Sequence, residues 1–126
     1  MVKLVTDLID ELNPSLVITF LPGFSVHPDH EATARAVVEA VRRMRKEERP
    51  TIIAVGFAND TVDKMGLPHI KVDITDVKMD KLAALQAHAS QTAWMIAESE
   101  KREETADELS DNWLTTEAFY VIEHAE

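Results

Sequence analysis

Apolar residues open the chain with helical spacing. Leu4, Val5, Leu8, Ile9 and Leu12 form the stripe of an amphipathic helix over 3–12, and Asn13-Pro14 ends it. The next run, Ser15 to Leu21 (SLVITFL), is short, almost unbroken in its hydrophobicity and rich in Val, Ile and Thr, which predicts a strand buried on both faces. Pro22-Gly23 closes that strand, and the loop FSVHPDH leads into a helix from about Glu31 to Lys46, with Ala34, Val37, Val38, Val41 and Met44 on its apolar side. A second buried strand is expected over Thr51 to Phe57, followed by a polar stretch from Ala58 to Pro68, and a third, shorter strand over Ile70 to Ile74. Thr75 then suits the N-cap of a long helix from about Asp76 to Glu104, with Leu82, Leu85, Ala89, Ala93 and Ile96 along one face. Ala118 to Ile122 (AFYVI) reads as a last strand.

Buried strands alternating with amphipathic helices point to an α/β domain with a largely parallel sheet. In such sheets ligands bind outside the carboxyl ends of the strands, which directs attention to the loops after Leu21 and after Phe57.

Composition narrows the classes of function. A chain of 126 residues is one domain, or a large piece of one, and two independent catalytic domains are excluded. With 45% apolar and 29% charged residues, it can build a core without disulfides. Cysteine is absent, so any metal must be held by His, Asp, Glu or water; a cytoplasmic protein fits this usage. No apolar run approaches the roughly 18 to 20 residues of a membrane span, and no signal-peptide order is present, so no membrane partner is expected. The net charge of −10 would repel a phosphate backbone, which argues against nucleic acid as a partner. Seven acids against Lys101 and Arg102 between Glu98 and Asp111 supply −5 of that charge, the pattern of a solvated helix end or surface loop.

The loop after the first strand holds His27-Pro28-Asp29-His30. Two imidazoles three residues apart share a face if Pro28 starts a helical turn, and a carboxylate between them can orient a ring through its second nitrogen. Spacing alone leaves two readings open: a metal site, or a loop whose Asp caps the next helix between two solvent-facing histidines. A catalytic zinc usually takes three protein ligands, so a third would have to come from elsewhere. Asn59 and Asp60, after the second strand, sit where they could meet sugar hydroxyls or simply make a turn. His88, with Ser90 and Gln91, is either a helix-packing histidine or a support near the site. His69 and His124 read as surface residues, and Trp94 and Trp113 as packing residues rather than a sugar platform.

The segment HPDHEATARAVVEAVR, preceded by LNPSLVITFLPG and followed by VDITDVKMDKLAALQAHASQT, resembles the LmbE-like (PIG-L) family of zinc-dependent N-deacetylases, most closely the bacillithiol biosynthesis deacetylases. The likeness covers nearly the whole chain, and the K..AL..H.SQ element from Lys81 is a second, independent match. The resemblance implies a Rossmann-like three-layer fold, His30 as a zinc ligand, His27 as the protonated side chain that steadies the oxyanion or protonates the leaving amine, and Asp29 as an outer-shell carboxylate. It implies removal of acetate from an N-acetylglucosamine conjugate, with a homo-oligomer as the assembly. Asn59 and His88 become candidate substrate contacts. The family's other motif, of the form AHPDDE, supplies two zinc ligands and the general base after the first strand, and nothing here matches it. Residues 1–126 therefore read as a single domain, the C-terminal portion of a deacetylase lacking its N-terminal strand and inactive alone. The alternative is a non-catalytic or split subunit that self-associates or pairs with an N-terminal half.

Overall fold

The computed structural model describes residues 1–90 and 114–123. Helix α1 spans Val2–Leu12 and ends where Asn13 turns left-handed (φ 45°), its N–H donating to the Ile9 carbonyl at 2.8 Å; Asn tolerates that conformation better than most residues. Strand β1 (Leu16–Phe20), helix α2 (Pro28–Arg42) and strand β2 (Thr51–Val55) form a parallel βαβ unit, paired from Leu16 opposite Thr51 to Phe20 opposite Val55. Then come α3 (Thr61–Met65), β3 (Ile70–Asp73), α4 (Lys78–Ala87) and β4 (Thr116–Ile122). The sheet order is β1-β2-β4-β3.

The described chain divides into two compact units, Met1–Ile70 with Phe119–Glu126, and Lys71–Ala118. In the first, α1 packs on α2 and α2 on the sheet. Ile9, Val37, Ala40, Val41 and Ile52 close one core cluster, and Leu21, Ala54 and Tyr120 a second. The small residues Ala34, Ala36 and Ala40, all buried, let α2 lie close to its neighbours. Each fully buried Val or Ile contributes about 1.5–3 kcal/mol of transfer free energy, so these clusters fix the register of the βαβ unit. His69 links the chain before β3 to β4: its N–H donates to the Phe119 carbonyl (3.0 Å) and its Nδ1 accepts from the Val121 N–H (2.8 Å). In the second unit the Asp73 carboxylate accepts from the Thr75 N–H and hydroxyl, and Lys81 pairs with Glu117 at 3.3 Å.

Several expectations are corrected. The sheet is not largely parallel: β2 and β4 pair antiparallel, and on β3 and β4 partner numbers fall as the others rise (His69 with Phe119, Ile74 with Thr115). The apolar run AFYVI marks a buried strand but carries no direction, and only the βαβ unit obliges its two strands to run the same way. Strand β1 is not buried on both faces, for Leu16 and Ile18 are 47% and 59% exposed. Helix α2 starts at Pro28, because a proline at the first helical position costs no hydrogen bond. Thr75 does not cap α4; it lies in a 3-10 turn over Thr75–Val77, and Val77 precedes the helix. The helix expected over 76–104 is interrupted: α4 ends at Ala87 and His88 leaves helical geometry (φ −90°, ψ 45°), while Ala89 and Ser90 are helical again and 91–104 lie outside the described residues. Gln91, Ala93, Trp94, Ile96, the acidic run from Glu98 to Asp111, Trp113 and His124 lie outside the described residues.

Candidate active site

The loop from Leu21 to His27 is held from three sides. The Leu21 N–H continues the ladder to the Val55 carbonyl (2.9 Å), and the Phe24 N–H turns back to the Leu21 carbonyl (3.1 Å). Gly23 has φ 86°, a conformation that favours glycine. Ser25 is buried, and its hydroxyl donates to the Leu21 carbonyl at 2.6 Å. Glu31, in the first turn of α2, reaches back and accepts from the Gly23 and Ser25 N–H groups, each at 2.9 Å. Those two bonds, with a smaller pull from Arg35, hold the Glu31 carboxyl below its usual range. Finally, the Phe24 carbonyl accepts from the N–H groups of Phe57 (2.8 Å) and Ala58 (3.0 Å), so the loops after β1 and β2 are tied together.

At the end of this clamp sits Val26, a β-branched residue at φ 69°, where the His27 N–H donates to the Ser25 carbonyl at 2.7 Å. Such a backbone is strained by roughly 1–3 kcal/mol and persists only where its surroundings enforce it. It delivers His27 to the N-cap of α2. The His27 carbonyl accepts from the Glu31 N–H (3.0 Å), and its Nδ1 accepts from the Asp29 N–H (3.0 Å). Nδ1 being engaged, Nε2 is the ring atom left to meet a ligand. The Asp29 carboxylate lies 3.8 Å from Nδ1 and is largely exposed, so the backbone of Asp29 rather than its carboxylate orients the ring. The cap is thus His27, not the Asp that a plain loop would use.

Pro28 opens the helical turn as the H-x-x-H spacing requires, and the His27 and His30 rings stand 5.3 Å apart between centroids. His30 is stacked on Phe20, centroids 4.1 Å apart and planes 7° from parallel, with Phe57 at 5.9 Å. This stack fixes the ring plane. The His30 Nδ1 is buried and has no hydrogen-bond partner, an uncommon state for a polar atom that a donor or a metal ion would relieve. His30 therefore suits a metal ligand. Among the described residues no group of three His, Asp or Glu converges on one point, so the loop offers part of a coordination shell.

Asn59 is exposed in the turn after β2, and Asp60 beside it pairs with Lys64 at 2.9 Å, which holds its carboxyl below the usual value. His88 belongs to the second unit, its N–H donating to the Ala84 and Leu85 carbonyls. Sequence reasoning singled out neither Glu31, Phe20 nor Phe57. An acid in the first turn of a helix after a Gly-containing loop was the available signal for Glu31; the ring stack depends on how β1, β2 and α2 come together, and spacing does not encode it.

This chain is similar to three curated proteins that share one name, probable N-acetyl-alpha-D-glucosaminyl L-malate deacetylase 2. The Bacillus anthracis protein is 43% identical over 119 residues, 94% of this chain and 53% of the relative. The Bacillus cereus protein is 44% identical over 113 residues, 90% of this chain and 51% of the relative. The Bacillus subtilis protein is 34% identical over 117 residues, 93% and 53% respectively. The chain spans about half the length of the curated relatives it matches. No protein-family model matches it. Among the described residues no helix is long and apolar enough to cross a membrane.

Proposed function

We propose that this chain carries one part of the active site of a zinc-dependent N-deacetylase that removes acetate from an N-acetylglucosamine conjugate of the glucosaminyl malate type. The single observation that carries this reading is the buried, unpartnered His30 Nδ1 beside His27, in a chain similar to proteins named as deacetylases. Zinc bound there would polarise the amide carbonyl and activate a water. His30 would hold the metal, its ring plane set by Phe20. His27 would donate its Nε2–H to the developing oxyanion while Nδ1 accepts from the Asp29 N–H; to protonate the departing amine it would have to be the imidazolium, whose Nδ1–H would turn from the Asp29 N–H to the Asp29 carboxylate. Asp29 would act on its neighbours through the outer shell, and Asn59 would be a further substrate contact from the loop after β2. The remaining ligands and the general base would come from a complementary segment, the counterpart of the AHPDDE motif, and the assembly would be a homo-oligomer in the cytoplasm.

The test is metal content and turnover in a chimera in which this chain replaces the matching half of the Bacillus anthracis relative. His30→Ala should lose bound zinc. His27→Ala should keep zinc and lose about 10²- to 10⁴-fold in turnover, the usual contribution of a positioned acid. Zinc retained at full stoichiometry by the His30→Ala protein would remove the ligand assignment.

A further inference from the structure

We infer that Glu31 is a positioning residue for the reaction: its carboxylate locks the loop before α2 so that the His27 ring keeps its place, while His30 is fixed independently of it. The inference rests on the deacetylase reading for the role of His27, and on the following geometry for the lock.

The Glu31 side chain is 19% exposed and folds back over the backbone that precedes its own helix. One carboxylate oxygen accepts from the Gly23 N–H and the other from the Ser25 N–H, each at 2.9 Å. Its backbone N–H donates to the His27 carbonyl at 3.0 Å. Glu31 therefore grips the loop at its start, its middle and its end. Arg35 stands 3.9 Å from the same carboxylate with an exposed guanidinium, a pair that contributes little in water; the two backbone N–H bonds carry the lock.

The loop needs one. Val26 holds φ 69° with its side chain exposed, so no burial offsets a backbone strain of roughly 1–3 kcal/mol. Just beyond it, the His27 ring is weakly held: its Nδ1 accepts one N–H bond, from Asp29 at 3.0 Å, and the side chain is 59% exposed. Imidazole is not among the favoured N-cap groups. Relaxation of Val26 toward extended backbone would carry His27 off the first turn of α2 and break that bond. The hydrogen bonds to Glu31 fix the residue before Val26, and its N–H fixes the residue after it, so the strained link is pinned from both sides.

His30 answers to different contacts. It lies within α2, and its ring is stacked on Phe20 of β1 with centroids 4.1 Å apart. Neither the helix nor the Phe20 ring depends on the backbone of residues 23–25. Loss of the Glu31 carboxylate should displace His27 and spare His30, keeping the metal while slowing the chemistry. Gln at this position offers one acceptor oxygen where Glu offers two, and so keeps one of the two loop bonds.

The test is a double-mutant cycle in the zinc-loaded chimera. Glu31→Ala should lower kcat about 10²-fold, the usual consequence of displacing a reacting group by about 1 Å, and Glu31→Gln about tenfold, with KM within about twofold of the parent and zinc at full stoichiometry. In a His27→Ala background neither substitution should lower kcat further, because a residue that acts through His27 has nothing left to place. Losses that multiply in that background, an undiminished kcat in both variants, or zinc lost from Glu31→Gln would overturn the inference; Glu31→Gln carries the test if the alanine variant fails to fold. Imidazole nitrogen-15 shifts of this chain alone, at about pH 8, read the same lock without turnover. The parent His27 should show a single neutral tautomer with its proton on Nε2, and the Glu31 variants averaged signals. Averaged signals beside an inactive parent chimera would sink the deacetylase reading and leave the lock standing; an active parent chimera with parent-like signals in the variants would do the reverse.

Discussion

Val26 is the residue at which the local cost of the site is most visible. A branched side chain at φ 69° is tolerated because the clamp from Ser25, Phe24 and Glu31 leaves the chain little choice before His27. Val26→Gly removes the steric penalty at an exposed position, so urea unfolding should show stabilisation of about 1 kcal/mol. The same change should loosen the loop and lower the turnover of the chimera. Glu31 acts on the other side of this loop. Its carboxyl is held low by the Gly23 and Ser25 N–H groups, so its stabilising effect is complete above the ordinary carboxylate range and is lost as pH falls through the lowered value. Amide protection at Gly23 and Ser25, taken relative to an unstructured peptide at each pH, should therefore collapse on acidification. In Glu31→Gln, a neutral side chain with one acceptor oxygen, protection should be low throughout and show no such transition; a transition that persists in this variant would assign the effect to another group.

At the scale of elements, the strand-loop-helix unit around the histidines was readable in advance, and the sheet's sense was not. The run SLVITFL, the breaker Pro22-Gly23 and the Pro in HPDH each act locally, so β1, the loop and α2 appear where the pattern put them, within a few residues. What the pattern could not supply were non-local facts: that β4 returns antiparallel beside β2, that β1 ends at an edge, and that Phe20 and Phe57 meet His30. Strand hydrophobicity reports burial and says nothing of direction, and exposure of Leu16 and Ile18 depends on what neighbours the strand. Gly56 is a similar case. Nothing in TIIAVGF marks it, yet a Cβ there would lie 2.7 Å from the Thr61 Cγ2 and 3.3 Å from the Leu21 Cδ2, both on buried residues. Gly56→Ala should cost about 1–3 kcal/mol by overpacking, read as a fall in the urea midpoint at unchanged m-value. A variant as stable as the parent would mean that α3 can move off β2 freely.

For the whole molecule, the length of the chain and the content of the site have to be read together. Its 126 residues build a βαβ core that positions two histidines, while the relatives it matches are about twice as long. Among the described residues His27, Asp29 and His30 share one loop, and no group of three His, Asp or Glu is placed to hold a metal ion. On the proposed reading, the rest of the coordination shell would come from a second stretch of polypeptide. The most direct measurement is acetate release from N-acetylglucosaminyl malate by the zinc-loaded chimera of this chain with the other half of the Bacillus anthracis relative. The account predicts turnover that falls to background in His30→Ala; a folded chimera that releases no acetate, or a His30→Ala form that releases it at the parent rate, would contradict it.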